Sequence, residues 1–463
     1  MSGRLPSGSP RLDLVLGGGL LLNGINLVIG RPGTGKTILA QQYLFQNATD
    51  ERPALYLSTV SEPLEKILRY GQSLAFFDKS AVGSRIVYDG LGATLNADGL
   101  AGVLTQLTGL LRERRPALLV IDSFKALRAY ASDEGSFRRF LHELAGQLSA
   151  MATTSFWIGE YDSAETDAPE FAVADAIVAL SVERRAEREA RVFQVVKLRG
   201  SGFVSGQHAY RLSATGLDVF PRLADFDEAD SYAMTFDRAT SGVVVLDEML
   251  ADGFWQGAST LVAGPSGSGK TLLALHFVFA GAELGEQCVF ATFQENPVQL
   301  ERIAHGFSWS LKHPRVELLY RPPVDLYLDE WVYDLLDTIE RTGAKRVVID
   351  SLGDLRAACG DDLRFREYMY SLLQRCARKD ISVMMTQEAA ELFGLTQLSE
   401  YGISHLSDNV VLFQFLRGDS EVKRAVTILK TRASTHDPRI RQFDITAEGF
   451  TLGEPFSPEQ SLR

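Results

Sequence analysis

The chain has little cysteine and little histidine. Three cysteines, Cys288, Cys359 and Cys376, stand singly among 463 residues, with no Cys-x-x-Cys spacing. That excludes a disulfide framework and a zinc ribbon, and the three thiols read as small buried hydrophobes. Seven scattered histidines make no metal-ligand pattern. Positive charge is in deficit: 47 Lys and Arg against 59 Asp and Glu leave a net charge of −12. A surface of that sign argues against nucleic acid as a partner, because phosphate contacts need a basic face. No apolar run approaches the ~18 residues of a membrane span, so no membrane role is expected. The opening residues, MSGRLPSGSPRLDLVLGGG, lack the basic start and apolar stretch of a secretory signal, and the cytoplasm is the expected location.

What the chain does have, it has twice. GRPGTGKT runs from Gly30 to Thr37 and GPSGSGKT from Gly264 to Thr271, which puts Lys36 and Lys270 234 positions apart. The IDS ending at Ser123 recurs at Ser351, 228 positions on, and the SEP of Glu62 recurs as the ENP of Glu295, 233 positions on. VVKLRGS with Lys197 recurs as TILKTRAS with Lys430, again at 233. Four landmarks in one order at nearly one offset mean two copies of one module, too long for a solenoid repeat. The acid-rich, non-periodic stretch around RLADFDEADSYAM reads as the joint. The expected division is a domain over 1–225, a linker over 226–240 and a second domain over 241–463.

Within the first copy short apolar runs alternate with helical patterns. INLVIG, ALYLSTV, ALLVID and TTSFWIG read as strands; KTILAQQYLFQNA, LAGVLTQLTGLLRER and GSFRRFLHELAGQLSAM read as helices. Short apolar strands between helices mark a mainly parallel sheet covered on both faces. Each copy then closes in an antiparallel hairpin, AIVALSVERRAEREARVFQVVKLRG in the first and NVVLFQFLRGDSEVKRAVTILKTRAS in the second. The fold class is α/β: a mainly parallel sheet flanked by helices with an antiparallel extension, in tandem.

Both glycine-rich loops satisfy G-x-x-x-x-G-K-[ST], each after a strand and before a helix. Gly33, Thr34, Gly35, Lys36 and Thr37 in one copy, and Gly267, Ser268, Gly269, Lys270 and Thr271 in the other, are the expected phosphate cradle of a bound ATP. Backbone N–H groups turn inward, the lysines reach the β- and γ-phosphates, and Thr37 and Thr271 hold Mg²⁺. Asp122 and Asp350 end apolar strands, where a carboxylate completes the metal site.

The whole pattern resembles the KaiC family of RecA-type ATPases: LGGGL before the first P-loop, a Glu-Pro or Glu-Asn-Pro step after the second strand, IDS, and a terminal K-x-R. HLSDNVVLFQF…TILKTRASTHD resembles that family's C-terminal module, matching it also at Ser434, His436 and Asp437. The likeness spans about Leu12 to Gly453. It implies two tandem RecA-like P-loop NTPase domains that assemble as a homo-hexamer of two stacked rings with ATP between subunits. It also implies that Lys197 and Arg199, then Lys430 and Arg432, reach a neighbour's γ-phosphate as charge-neutralising fingers.

The catalytic carboxylate departs from the family. Where the resemblance implies two adjacent glutamates, of which the first is the base, this chain has Ser61 and Gln294. The second survives as Glu62 and Glu295. A glutamine orients water but takes no proton, so either Glu62 and Glu295 replace the base or hydrolysis is slow. The same glutamates also suit the start of the next helix. Ser404, followed by His405, stands where the clock proteins carry a Ser-Thr phosphoacceptor pair, which makes it a candidate acceptor or a polar loop residue. The reading is a double-ring ATPase and candidate serine autokinase that regulates through an unidentified protein partner. The alternatives are an ATP-gated scaffold that hydrolyses negligibly, and a DNA-dependent ATPase of the RecA or helicase type.

Overall fold

The computed structural model describes residues 3–60, 63–161, 167–185, 188–223, 235–389, 405–417, 421–447 and 449–456. They fall into two compact units, Met1–Asp225 and Phe226–Arg463. Each unit is built on a nine-stranded sheet. In the first, the strands are β1 Ile25–Gly30, β2 Ala54–Ser58, β3 Ile86–Gly90, β4 Leu118–Asp122, β5 Thr154–Gly159, β6 Ala176–Arg185, β7 Arg188–Leu198, β8 Gln207–Ser213 and β9 Gly216–Phe220. In the second they are β10 Ser259–Gly264, β11 Cys288–Thr292, β12 Val316–Tyr320, β13 Arg346–Asp350, β14 Ser382–Glu388, β15 Asn409–Arg417, β16 Val422–Thr431, β17 Arg441–Thr446 and β18 Gly449–Pro455.

The spatial orders are β3-β2-β4-β5-β1-β6-β7-β8-β9 and β12-β11-β13-β14-β10-β15-β16-β17-β18, so the second sheet repeats the first strand for strand. Six strands in each are parallel and the last three run antiparallel. This is the α/β fold with an antiparallel extension that the sequence predicts.

Alternate residues of the central strands feed two cores, one on each face. In the first unit Val28, Tyr56 and Val120 join the cluster under helix α1 (Lys36–Asn47), through Leu39, Tyr43 and Leu44. Leu27, Leu57 and Ile121 join the other, with Leu107 and Leu111 of α3 (Gly92–Arg114) and Phe137 and Leu144 of α4 (Glu134–Ala150). Helix α2 (Leu64–Gly71) follows β2. The second unit repeats the series with α5 (Lys270–Glu283), α6 (Pro297–Gly306), α7 (Leu328–Thr342) and α8 (Asp362–Arg378). Burial on both faces explains why the strands read as near-continuous apolar runs.

Two features were not legible as strands. β3, IVYDG, is an edge strand whose half-exposed residues end in an Asp-Gly turn signal. The hairpin β8–β9 lies beyond the terminal hairpin on which the sequence reading ends each copy. The last residues of the stretch read as linker, Arg238–Ala239, pair antiparallel with Phe254–Trp255. Arg4–Leu5 makes the equivalent pair with Leu20–Leu21. Cys288, Cys359 and Cys376 are all buried free thiols. Among the described residues no helix is long and apolar enough to cross a membrane.

Candidate functional site

Each glycine-rich loop leaves the C-terminal end of the central strand and enters a helix. Gly35 and Gly269 cap α1 and α5 with φ of 92° and 104°, a left-handed conformation that a side chain opposes. Gly33 and Gly267 are left-handed too, at 77° and 74°. The Lys36 ammonium donates to the carbonyls of Gly30 and Arg31, both at 2.9 Å. Lys270 does the same to Gly264 at 2.9 Å and Pro265 at 2.8 Å. Burial lowers both lysines' pKa values, opposed chiefly by Glu160 and Asp122 in one copy and by Glu388, Asp350 and Glu295 in the other. Thr34 turns its hydroxyl inward to the Arg31 carbonyl, and the Ser268 hydroxyl is buried without a partner among the described residues.

The first copy's loop is braced from behind. The Tyr210 hydroxyl on β8 donates to the Thr34 carbonyl at 2.6 Å, and Arg191 on β7 donates to the Gly33 carbonyl at 3.0 Å.

Asp122 and Asp350 lie at the ends of β4 and β13, each joined to the following serine by a cis peptide. Thr37 donates to Asp122 Oδ2 at 2.8 Å and so does the Tyr56 hydroxyl, at 2.7 Å. The second copy has Phe290 at the position of Tyr56, and its carboxylate is held instead by Thr386, from β14, through Oδ1. Asp350 Oδ2 is buried with no hydrogen-bond partner among the described residues. Burial raises the pKa of Asp350; Thr386, Thr271 and Lys270 pull it back. A buried carboxylate oxygen beside a threonine hydroxyl and a P-loop lysine fits a divalent cation carried in on nucleotide phosphates.

Glu295 stands near this group. Its pKa is raised, first by burial and then by Asp350 and Asp354, with Lys270 acting against the rise. It does not cap the next helix: Asn296 does, in a reciprocal capping box with Gln299. Gln294 is turned to Asp354, donating at 3.0 Å to one carboxylate oxygen and 3.3 Å to the other. Glu62, with Ser61, and Ser404 lie outside the described residues.

The Lys-x-Arg pairs lie elsewhere. Along β6 the P-loop glycine Gly30 is level with Leu180, whereas Lys197 is level with Ile177. Lys197 donates to the Phe171 carbonyl at 2.9 Å, and Arg199 pairs with Asp175 at 3.5 Å, ahead of the strand's start. The second copy matches: Lys430 donates to the Ser407 carbonyl at 2.6 Å and Arg432 pairs with Asp408 at 3.5 Å. Burial lowers the pKa of both lysines, and the adjacent arginine adds to it. Counted along the strand, the pairs are about 10–16 Å from their own P-loops, toward the opposite end of the parallel strands. The structure therefore brings lysine, threonine and aspartate together in each copy and keeps the Lys-x-Arg pairs apart from them.

Sequence reasoning missed Glu160, just after β5, and Glu388, the last residue of β14, both beside the P-loop strands, and Asp175 and Asp408, which hold the arginines. The signal was available: all four recur at the repeat offset.

A family model described as "ATPase: KaiC" matches residues 5–224 and again residues 239–456. Among curated relatives, the circadian clock protein KaiC3 of Synechocystis sp. is 28% identical, covering 98% of this chain and 92% of its own length. The circadian clock oscillator protein KaiC of Rippkaea orientalis is 27% identical, covering 96% of this chain and 87% of its own. That of Prochlorococcus marinus is also 27% identical, over 98% and 91%.

Proposed function

The chain belongs to the KaiC family of ATPases, and from that premise we propose an ATP-driven hexameric double ring in which each P-loop works against the finger pair of a neighbouring subunit. The observation that carries this reading is the separation just described. A Lys-x-Arg pair about 10–16 Å along the sheet from its own P-loop cannot neutralise its own γ-phosphate. It can serve a second copy's, and a head-to-tail contact of that kind closes into a ring.

In this reading the phosphates sit on the backbone N–H groups of residues 33–37 and 267–271, and Lys36 and Lys270 leave their loop carbonyls to bind them. Thr37 with Asp122, and Thr271 with Asp350, are the residues that would hold Mg²⁺. Held there, the cation would neutralise charge on the phosphates. Glu295 orients the attacking water and takes its proton as the bond from the γ-phosphorus to the bridging oxygen breaks, releasing ADP and phosphate. Gln294, bonded to Asp354, contributes only hydrogen bonds. Glu62 has the base role in the first copy by its place in the repeat. Lys197, Arg199, Lys430 and Arg432 stabilise the charge that develops.

A serine autokinase activity on Ser404, and a signalling role through a regulatory protein partner, extend the same reading. Purified protein incubated with γ-labelled ATP tests both layers. The expected result is free phosphate, hexamers by light scattering in Mg-ATP, and label on the chain that Ser404→Ala removes. Phosphate without protein label would leave an ATPase and remove the autokinase. A monomer at saturating Mg-ATP would overturn the ring.

A further inference from the structure

Two carboxylates stand at the phosphate-binding loops and have no part in the chemistry above. Glu388 is the last residue of β14 and is level with Gly264, the first glycine of the second P-loop. Glu160 follows Gly159, which is level with Ile29, so it stands opposite Gly30. Neighbouring strands lie about 4.8 Å apart, so each glutamate is one strand spacing from the start of its loop.

In the second copy the contacts fix the strand end there. The N–H of Ala389 donates to the Gly264 carbonyl at 3.0 Å, and Lys270 donates to that same oxygen at 2.9 Å. The backbone that carries Glu388 and the ammonium that must bind phosphate thus share one acceptor. Both glutamates are solvent-exposed at the rim, and each is the largest charge acting on its P-loop lysine. The two copies differ at the base position, Ser61 against Gln294, and at the residue that braces the strand-end aspartate. They agree in these glutamates.

We propose that Glu160 and Glu388 are counter-charges to the P-loop lysines, which hold nucleotide affinity down and speed the release of ADP. With the loop free of phosphates, the lysine is stabilised by its two loop carbonyls and by the glutamate. A nucleotide must draw the lysine away from that carboxylate and also bear its repulsion on the diphosphate. Both effects favour departure once the γ-phosphate is gone and one cluster of negative charge has left. The inference rests on the nucleotide reading of the P-loops. The first copy carries an additional cation, since Lys125 donates to the Glu160 carbonyl at 2.5 Å. The residue in the corresponding place of the second copy is Gly353, so the effect is larger there.

The test uses the full chain with Lys36→Ala, which confines binding to the second copy, and fluorescent mant-ADP displaced by excess ADP. Glu388→Gln is expected to slow release about three- to tenfold and to tighten binding by a similar factor, the scale of one charge acting through a wet rim. The gap narrows as salt is raised. Glu388→Asp keeps the charge and stays near the parent. A damaged loop would bind more weakly, so tighter binding is a change that mere structural disturbance does not produce. Unchanged or faster release in Glu388→Gln, with normal binding by the parent, overturns the inference alone. A parent that binds mant-ADP no better than Lys36→Ala combined with Lys270→Ala overturns the nucleotide reading of that site and the inference with it.

Discussion

At the scale of the residue, Glu295 meets two opposing demands. A base must be ionised, and the residue proposed for that role is half-buried beside Asp350, which favours its protonated form. Its pKa is raised above the ordinary 4.5, so its charged form is lost as pH falls through a value higher than that. Turnover at the second copy, isolated by Lys36→Ala, is expected to show an acid limb displaced above the usual carboxylate range. Glu295→Gln should lower turnover by about 10²–10⁴ and remove that limb, while ATP binding persists. Steady-state phosphate release against pH is the measurement; an unmoved limb in the variant would assign the base elsewhere. The glutamate was legible from its place in the repeat. What Gln294 does was not, because its partner Asp354 comes from the segment after β13, and the sequence does not say that β11 and β13 are neighbours.

At the scale of the element, the last hairpin of each unit docks on the helix that follows the P-loop through one polar residue. In the first copy Gln42 of α1 donates to the Ser7 carbonyl at 3.1 Å and accepts from the N–H of Leu217 at 2.8 Å. His276 of α5 takes this position in the second copy. It lies edge-on to Trp309 at 4.7 Å and close to Phe450 at 5.5 Å, and its Nε2 is buried without a hydrogen-bond partner among the described residues. A Cβ on Gly449 would come within 2.6 Å of the ring, and that glycine has a φ of 105°. Burial pushes the imidazole's pKa down to about 4, from 6.5. The folded state then binds fewer protons than the unfolded chain between those values, so this contribution to stability is complete above pH 6.5 and lost as pH falls toward 4. Lowering the pH from 7 to 5 should cost about 2 kcal/mol through this group. His276→Gln, which copies the first unit, should remove that part of the acid sensitivity. Thermal midpoints of the two proteins at pH 7 and pH 5 check it, and equal losses would contradict it. Gly449→Ala should be destabilising by about 1–3 kcal/mol at either pH. None of this was readable in advance, since the contact depends on the antiparallel strands β17 and β18 folding back over α5.

At the scale of the whole molecule, the duplication was the most legible feature. Phosphate-binding loops, strand-end aspartates and terminal hairpins each occur twice at nearly one offset, and spacing alone orders them into two α/β units. Less legible was anything set by which strand lies beside which: Tyr56 and Thr386 against the aspartates, Glu160 and Glu388 against the lysines, Asp175 and Asp408 against the arginines. Those pairs join residues far apart in sequence, and strand order creates them. The strand register puts each Lys-x-Arg pair toward the opposite end of the strands from its own P-loop, which is the ground for proposing that catalysis is shared between subunits. The most direct measurement co-expresses two inactive chains. One carries Lys36→Ala and Lys270→Ala, with fingers intact; the other carries Arg199→Ala and Arg432→Ala, with P-loops intact. Random mixing would give a working pair at about a quarter of the interfaces, so ATP hydrolysis is expected to return to roughly that fraction of the parent. Mixed hexamers that stay as inactive as either chain alone would show that the fingers serve their own subunit, and would contradict it.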